Sequence, residues 1–309
     1  MNFFKPNFWD KNKVSFFSIL LYPISLLIRI IAFTKRFLST PKKFSIPVIC
    51  VGNIYIGGTG KTPLSIEIFS ILKDLNKNPV FIRKKYPSFE DEVSLQKQVG
   101  KVYQNKKRSK AIKEAIKNKG NVAILDDGFQ DFSINKDLSI ICFNEKQWIG
   151  NGLIIPAGPL RESLSSLERA HIVIINGSKS DFIENKVLKQ NKNLKVFYCN
   201  FVTKNIELFK NKNITAFAGI GNPENFFDLL ENDNINVIEK IKFPDHYNYS
   251  EKDLKNLINS AQKNKSILLT TEKDYLRINK IYKEKINYLK ISIKIKNKNE
   301  LVNEIKKFI

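Results

Sequence analysis

The sequence has few cysteines, histidines and methionines. Its 309 residues include three cysteines, two histidines and one methionine. Cys50, Cys142 and Cys199 lie far apart, each in or beside an apolar run. The sequence therefore offers neither a disulfide framework nor a CxxC zinc pattern, which suits a reducing compartment. A metal site built from histidines is excluded, because only His171 and His246 are present.

Acidic residues are also scarce. The chain has 30 Asp and Glu against 52 Lys and Arg, a formal net charge of +22. Such a charge attracts polyanions, whether nucleic acid, acidic lipid or a phosphorylated substrate. Because no stripe of basic residues alternates with aromatic ones, we expect no nucleic-acid partner. Nothing in the sequence points to an obligate protein partner.

One long apolar run lies near the N-terminus. Residues 14–33 approach the length that spans a bilayer, but Pro23 and Arg29 interrupt them. No cleavage site for a secretory signal follows the run. Because residues 1–50 hold eight basic residues and one acidic residue, we expect a helix that lies in or dips into an anionic leaflet. A core helix is the alternative, and the sequence does not decide whether the helix spans the membrane.

From residue 46 onward, short apolar runs alternate with helical patterns, which indicates an α/β fold with a parallel sheet. We predict three parts: a membrane-associated helix in residues 1–40, a larger α/β domain in 41–205, and a smaller α/β domain in 206–309. The predicted strands of the larger domain are 46–51, 79–82, 121–125, 138–143 and 171–175, and its helices are 62–75 and 109–119. The smaller domain is predicted to contain strands 214–219, 236–243 and 266–270, helices from 223 and over 250–263, and a terminal strand–helix pair.

A glycine-rich segment, GNIYIGGTGKTP, joins the first predicted strand to its helix at residues 52–63. A strand, such a turn, Lys-Thr and a helix make a phosphate-binding loop, in which Lys61 reaches the β and γ oxygens and Thr62 ligates Mg²⁺. The domain in residues 41–205 is therefore predicted to be a P-loop NTPase-like parallel sheet domain. The strict pattern has glycine where Tyr55 stands, and deviant loops carry a lysine where Ile56 stands. The predicted ATP-binding residues are Tyr55, Ile56, Gly57, Gly58, Thr59, Gly60, Lys61 and Thr62.

Two aspartates follow a later apolar strand. Asp126 and Asp127 end the run NVAILDD at residues 121–127. A carboxylate in this place holds Mg²⁺ directly or through water in P-loop proteins. Alone, Asp-Asp-Gly after a strand is typical of a turn. Together with the phosphate loop, the pair predicts a magnesium site formed by Thr62, Asp126 and Asp127.

Six ordered motifs resemble one enzyme family. The sequence is similar to tetraacyldisaccharide 4′-kinase, the lipid A 4′-kinase of Gram-negative bacteria, over nearly the whole chain. The motifs are VGNIYIGGTGKTP (51–63), ILDDGFQ (124–130), PAGPLRE (156–162), FAGIGNPENFF (217–227), FPDHYNYS (243–250) and TTEKD (270–274). The resemblance implies transfer of the γ-phosphate of ATP to the 4′-hydroxyl of a tetraacyldisaccharide 1-phosphate. It also implies Mg²⁺, an anionic glycolipid substrate and attachment to the cytoplasmic face of the inner membrane.

The resemblance further implies which residues act on the acceptor. The family's catalytic Asp lies in a GDE-type segment, which matches 89–92 and makes Asp91 the proton acceptor, with His246 as its partner when the second domain closes over the first. Lys61 is the third predicted catalytic residue. Further contacts to substrate or phosphate are predicted for Glu92, Arg161, Glu162, Lys273 and Asp274.

The sequence departs from the family in two places. Asp131 stands where the family commonly has histidine, and the segment from Ile82 to Asp91 is shorter than usual. Both departures concern the acceptor rather than the phosphate machinery. Two other classes compete: a deviant-Walker ATPase of the partitioning or positioning type, against which Ile56 argues, and a membrane-bound scaffold that binds nucleotide without chemistry.

Overall fold

The computed structural model describes residues 5–11, 13–86 and 90–309, and it divides the chain into two compact units. The large unit comprises residues 5–86, 96–200 and 294–309, and the small unit comprises 90–95 and 201–293. Residues 1–4 and 12 of the predicted N-terminal part, and residues 87–89 of the shortened loop, lie outside the described residues.

The large unit is built on an eight-stranded sheet. Its order is β12-β7-β6-β5-β1-β4-β2-β3, and the adjacent pairs from β7 to β3 are parallel. The strands are β1 (Val48–Gly52), β2 (Pro79–Lys84), β3 (Val102–Asn105), β4 (Val122–Asp126), β5 (Leu138–Asn144), β6 (Ile172–Asn176), β7 (Lys195–Thr203) and β12 (Ile291–Ile295). Since β1 and β4 are adjacent and parallel, their carboxyl ends meet at one edge, where ligands of α/β sheets bind.

Helices follow most of these strands. They are α1 (Phe16–Phe37), α2 (Lys61–Asp74), α4 (Arg108–Lys117), α5 (Asp181–Gln190) and α9 (Lys298–Lys306). A further helix, α3 (Glu90–Lys97), begins in the small unit, to which residues 90–95 belong, and ends in the large one. α2 buries Leu64, Ile68 and Leu72, which recur on one helical face. The predicted α/β class and the parallel sheet are confirmed.

The small unit has a four-stranded parallel sheet in the order β11-β10-β8-β9. Its strands are β8 (Asn213–Ala218), β9 (Asn236–Lys242), β10 (Ile267–Thr271) and β11 (Asn287–Leu289), and its helices are α6 (Pro223–Asn232), α7 (Glu251–Lys263) and α8 (Glu272–Arg277). A capping box between Ser250 and Asp253 fixes the start of α7. Thr271 accepts a hydrogen bond from the Asp274 amide and starts α8 directly after β10.

The structure places the chain end differently from the sequence prediction. The terminal strand–helix pair was expected in the smaller domain, but β12 is an edge strand of the eight-stranded sheet, and residues 294–309 belong to the large unit. Burial explains the placement, because Ile295 of β12 and Leu301 and Ile305 of α9 are buried. The units also divide at residues 200 and 201 rather than at the predicted 205 and 206.

The N-terminal helix α1 has an unusual distribution of side chains. Its buried residues are Ser18 and Ser25, seven residues apart on one face. The Ser25 hydroxyl donates to the Ile154 carbonyl at 2.8 Å and accepts from the Ala157 amide at 3.0 Å. Its phenylalanines, its isoleucines and its leucines other than the half-buried Leu21 are exposed instead. Within the described residues, α1 is the one helix long and apolar enough to cross a membrane.

Candidate active site

The predicted phosphate loop lies between β1 and α2. Gly57, Gly58 and Gly60 have φ angles of 71°, 64° and 89°, a left-handed backbone that glycine adopts without a steric penalty. Such loops turn backbone N–H groups toward an anion, and the N-terminus of α2 adds its dipole at Lys61. The predicted order of a strand, a glycine-rich turn and a helix is confirmed.

Internal contacts hold the loop in shape. The buried side-chain amide of Asn53 donates to the Tyr55 carbonyl at 2.5 Å and to the Thr59 hydroxyl at 2.9 Å. The Cys142 thiol lies 2.8 Å from the Thr59 carbonyl, and burial raises the pKa of that thiol well above its ordinary value. Contacts with Asn53 and Cys142 therefore fix the conformation of the loop.

Two of the predicted ATP-binding residues face the protein. The Ile56 amide donates to the Pro159 carbonyl at 3.0 Å. The Tyr55 side chain is fully buried, and its hydroxyl donates to Asp10 at 2.6 Å. These groups support the loop from within the protein, and Gly57 to Thr62 stay the predicted nucleotide-binding residues.

Asp126 lies at the end of β4 and is 1% exposed. One carboxylate oxygen accepts from Arg83 at 2.7 Å and from Gln96 at 2.8 Å, and the Thr62 hydroxyl lies 3.5 Å away. The charge of Arg83 compensates the buried carboxylate, which would otherwise be costly to desolvate. Neither Arg83 nor Gln96 carries a motif, so the sequence analysis missed both.

Asp127, the next residue, has a φ of 57° and points to different partners. One guanidinium nitrogen of Arg161 lies 2.7 and 2.9 Å from its two carboxylate oxygens, and Lys61 Nζ lies 3.7 Å from one of them. Arg108 donates to the Asp127 carbonyl at 2.7 Å. Lys61, Asp127 and Arg161, predicted from three separate motifs, are thus brought together.

The donor set fits Mg²⁺. Thr62 and Asp126 present a hydroxyl and a carboxylate next to the phosphate loop, and Mg²⁺ prefers one or two such oxygens together with phosphates and water. Within residues 5–11, 13–86 and 90–309, no group of three His, Cys, Asp or Glu side chains is arranged as a metal cage. A metal bound mainly through nucleotide phosphates requires no such cage.

Two further acidic residues of the large unit are paired. Glu162 accepts two hydrogen bonds from Arg169, at 2.8 and 3.1 Å. Asp131 forms an ion pair with Arg108 at 3.0 Å. Burial alone would raise the pKa of Asp131, but a hydrogen bond from Ser133 and the charge of Arg108 lower it below its ordinary value. Asp131 is therefore a carboxylate whose charge is compensated by Arg108.

The small unit contains a second cluster, centred on Asp91 of α3. Asp91 is 3% exposed, and one of its oxygens lies 3.3 Å from His246 Nδ1, 3.5 Å from Arg277 Nε and 3.9 Å from Lys273 Nζ. Burial alone would raise the pKa of Asp91, but His246, Lys273 and Arg277 lower it below its ordinary value. The carboxylate is therefore ionised at neutral pH.

Lys273 contacts several members of this cluster. Its ammonium group lies 2.9 Å from Glu92 and 3.3 Å from His246 Nε2. Burial alone would lower the pKa of Lys273, but Glu92, Asp245 and Asp91 raise it above its ordinary value. The imidazole of His246 thus lies between a carboxylate at Nδ1 and an ammonium group at Nε2, which favours the tautomer with its proton on Nδ1.

Asp274, predicted to contact substrate or phosphate, lies just after β10 as expected, but its side chain is enclosed by groups of the protein. It is fully buried and accepts from the Gly219 amide, the Tyr249 hydroxyl at 2.8 Å and the Thr271 hydroxyl at 2.6 Å, besides its ion pair with Arg277. A Cβ on Gly219 would lie 2.8 Å from the Tyr249 hydroxyl, so the close approach requires glycine. Asp274 therefore supports Arg277 and has no surface to offer a substrate.

The sequence was compared with those of known proteins and protein families. The family model for tetraacyldisaccharide-1-P 4′-kinase matches residues 17–101 and 88–309. The chain belongs to this family. The tetraacyldisaccharide 4′-kinase of Pelagibacter ubique is 42% identical over 306 residues, which are 97% of this chain and 96% of that protein. The enzyme of the same name from Rickettsia typhi is 35% identical over 316 residues, with 97% and 96% coverage.

A solved structure supports the same family assignment. The crystal structure titled as the "apo" form of LpxK from Aquifex aeolicus in complex with ATP has a TM-score of 0.72 and 27% identity to this chain. The similarity covers 94% of this chain and 99% of that one. The resemblance read from six motifs is confirmed.

Proposed function

We propose that this protein transfers the γ-phosphate of ATP to the 4′-hydroxyl of a tetraacyldisaccharide 1-phosphate. The observation that carries the proposal is similarity to tetraacyldisaccharide 4′-kinases over 97% of the chain. The phosphate loop and the Asp91 cluster supply the two kinds of group that such a transfer needs. These are cations around the γ-phosphate and an acceptor for the hydroxyl proton.

The nucleotide side of the reaction belongs to the large unit. The loop amides and Lys61 would bind the β- and γ-phosphates, and Arg161 would contact the transferred group after leaving Asp127. Thr62 and Asp126, with Asp127 beside them, would hold Mg²⁺, which neutralises charge on the phosphates when bound. Arg83 and Gln96 keep Asp126 in place for this role.

The acceptor side belongs to the small unit. The ionised Asp91 carboxylate would take the proton of the 4′-hydroxyl as the oxygen attacks phosphorus. His246 and Lys273 would fix its orientation and stabilise its charge. Glu92 holds Lys273 in this position.

The membrane side is supplied by α1. Its serine face packs on the protein and its apolar residues face outward, the reverse of a helix in a soluble core. We place α1 at the cytoplasmic face of the inner membrane, with Lys35 and Arg36 of its last turn near anionic headgroups.

A cavity of about 460 Å³ lies beside α1. Ile28, Ile31 and Ala32 line one side of it, and Arg161 and Glu162 line another. This combination suits an anionic glycolipid, since acyl chains match the apolar wall and a phosphate or sugar matches the polar one. The cavity is therefore the proposed entry for the acceptor.

The proposal is tested with γ-labelled ATP and tetraacyldisaccharide 1-phosphate in mixed micelles. We expect label to appear on the disaccharide when Mg²⁺ is present and to remain on ATP when the acceptor lacks a free 4′-hydroxyl. Release of inorganic phosphate that is unaffected by the acceptor would instead favour the ATPase class.

Attachment through α1 gives a separate prediction. Replacing Leu20 and Leu27, which are 64% and 60% exposed, by lysine should move the protein from the membrane fraction to the soluble one. Each lysine costs up to about 3 kcal/mol in the apolar layer, and the fold loses no buried contact. Sedimentation with anionic vesicles in high salt measures the effect. Leu208→Lys, at an exposed leucine of the small unit, is the control and should stay membrane-bound.

A further inference from the structure

The residues just before α1 are joined to the phosphate loop. The Tyr55 hydroxyl donates to Asp10 Oδ1 at 2.6 Å, and Lys5 Nζ lies 2.7 Å from Asp10 and 3.0 Å from the Tyr55 oxygen. Burial and the hydrogen bond to Asp10 raise the pKa of Tyr55, so the hydroxyl keeps its proton and remains a donor. The bond is charge-assisted and belongs to the stronger class of hydrogen bonds.

Tyr55 also lies at a junction of the backbone. It forms an isolated antiparallel bridge with Leu160. The Ile56 amide donates to the Pro159 carbonyl, and the Arg161 amide donates to the Ile54 carbonyl at 2.7 Å. Tyr55 therefore connects Gly57, two residues later in the phosphate loop, with the segment that carries Arg161.

The same segments are attached to the membrane helix. The Trp9 ring nitrogen donates to the Pro156 carbonyl at 3.0 Å, and the Trp9 carbonyl accepts from the Asn151 amide at 2.9 Å. The Asn151 side chain donates to Ser18 of α1 at 3.0 Å. Residues 5–10, residues 151–161 and α1 thus form one continuous hydrogen-bonded structure that ends at the phosphate loop.

We infer that Asp10 and Tyr55 are positioning residues through which anchoring of α1 orders the phosphate loop, so that ATP binds more tightly when the helix is in a membrane. The inference deepens the proposed function and rests on it. The Tyr55 side chain contacts Asp10 and Lys5, so its effect on the nucleotide passes through the loop backbone. When the bilayer restrains α1, part of the ordering entropy is lost before ATP arrives, and binding costs less.

The test measures the dissociation constant of ATP without any acceptor lipid. Full-length protein on vesicles of zwitterionic and anionic phospholipid is compared with the Leu20→Lys/Leu27→Lys variant in solution. We expect the anchored protein to bind ATP at least about fivefold more tightly. Tyr55→Phe and Asp10→Ala should each lower the anchored affinity to the unanchored value. In the unanchored background, each substitution should lower the affinity much less than it does on vesicles.

The controls separate positioning from stability. Tyr103→Phe in β3 removes a hydroxyl from the same unit and should keep the anchored gain. Asp10 is partly exposed, so Asp10→Ala remains informative if Tyr55→Phe fails to fold. Equal affinities of the anchored and unanchored proteins, or a folded Tyr55→Phe protein with the full anchored gain, would overturn the inference. Since no acceptor is used, a failure of phosphate transfer to the glycolipid is detected separately.

Discussion

Replacement of Lys61 by alanine should lower kcat for phosphate transfer at least about a hundredfold, because the role proposed for Lys61 is to neutralise charge that develops on the transferred group. Loss of one such preorganised contact costs about 3 kcal/mol in the transition state. The fold should persist, since Asp127 keeps its pair with Arg161 when the ammonium group is removed. Steady-state kinetics on the labelled acceptor, with a thermal melt beside it, measures both expectations.

Lys73→Ala is the matched control for this variant. Lys73 lies in the last turn of the same helix α2 and is exposed, so its loss should leave kcat unchanged. A folded Lys61→Ala protein with kcat near that of the control would remove Lys61 from the reaction. The phosphate-loop interpretation of residues 52–63 would then fail with it.

The phosphate loop was predictable because its signals are local. Glycines that require a left-handed backbone, a Lys-Thr pair and a helical apolar pattern all lie within residues 52–75. The place of Asp126 followed from the same logic, since the carboxyl ends of parallel strands share one edge. Both predictions needed only periodicity and turn chemistry.

The partners of these residues were not predictable. Arg83 is the fifth residue of β2, and its pairing with Asp126 depends on β2 lying next to β4 in the sheet. The ion pair of Arg108 with Asp131 likewise joins α4 to a turn 23 residues later. Salt bridges between distant segments leave no periodic trace in a sequence. The sheet order that creates them becomes visible only in three dimensions.

The orientation of α1 and the place of the chain end are two further features that could not be predicted from the sequence. The composition of residues 14–33 indicated a membrane helix, but not that Ser18 and Ser25 would be its buried face. The terminal strand–helix pair has ordinary α/β patterning, which fits either sheet equally well. Its addition to the edge of the larger sheet depends on the free edge of β7, a property of the folded structure.

The second large effect is expected at Asp91 and His246, which should act as one unit. Asp91→Asn should lower kcat by about a hundredfold or more, because an amide cannot accept the hydroxyl proton in the role proposed for Asp91. His246→Asn should also lower kcat strongly, while asparagine tolerates the left-handed φ of 56° at this position. ATP affinity should change little in either variant, since both residues lie in the small unit.

The double variant and the pH profile decide whether the two residues are coupled. If His246 acts by orienting and stabilising the Asp91 carboxylate, the double variant should lose far less than the product of the two single losses. The neighbouring cations lower the pKa of Asp91, so the ionised, active form persists as pH falls until that lowered pKa is reached. Removal of His246 should raise this pKa, and the acid limb of kcat/KM should move to higher pH.

Glu251→Gln, an exposed carboxylate at the start of α7, is the control for the loss of a charge in the small unit and should leave both kcat and the acid limb in place. Multiplicative losses in the double variant would show that Asp91 and His246 serve separate steps. An acid limb that does not move in His246→Asn would mean that the imidazole does not stabilise the ionised carboxylate. Lys273 and Arg277 would then be the residues that hold Asp91 in its ionised form.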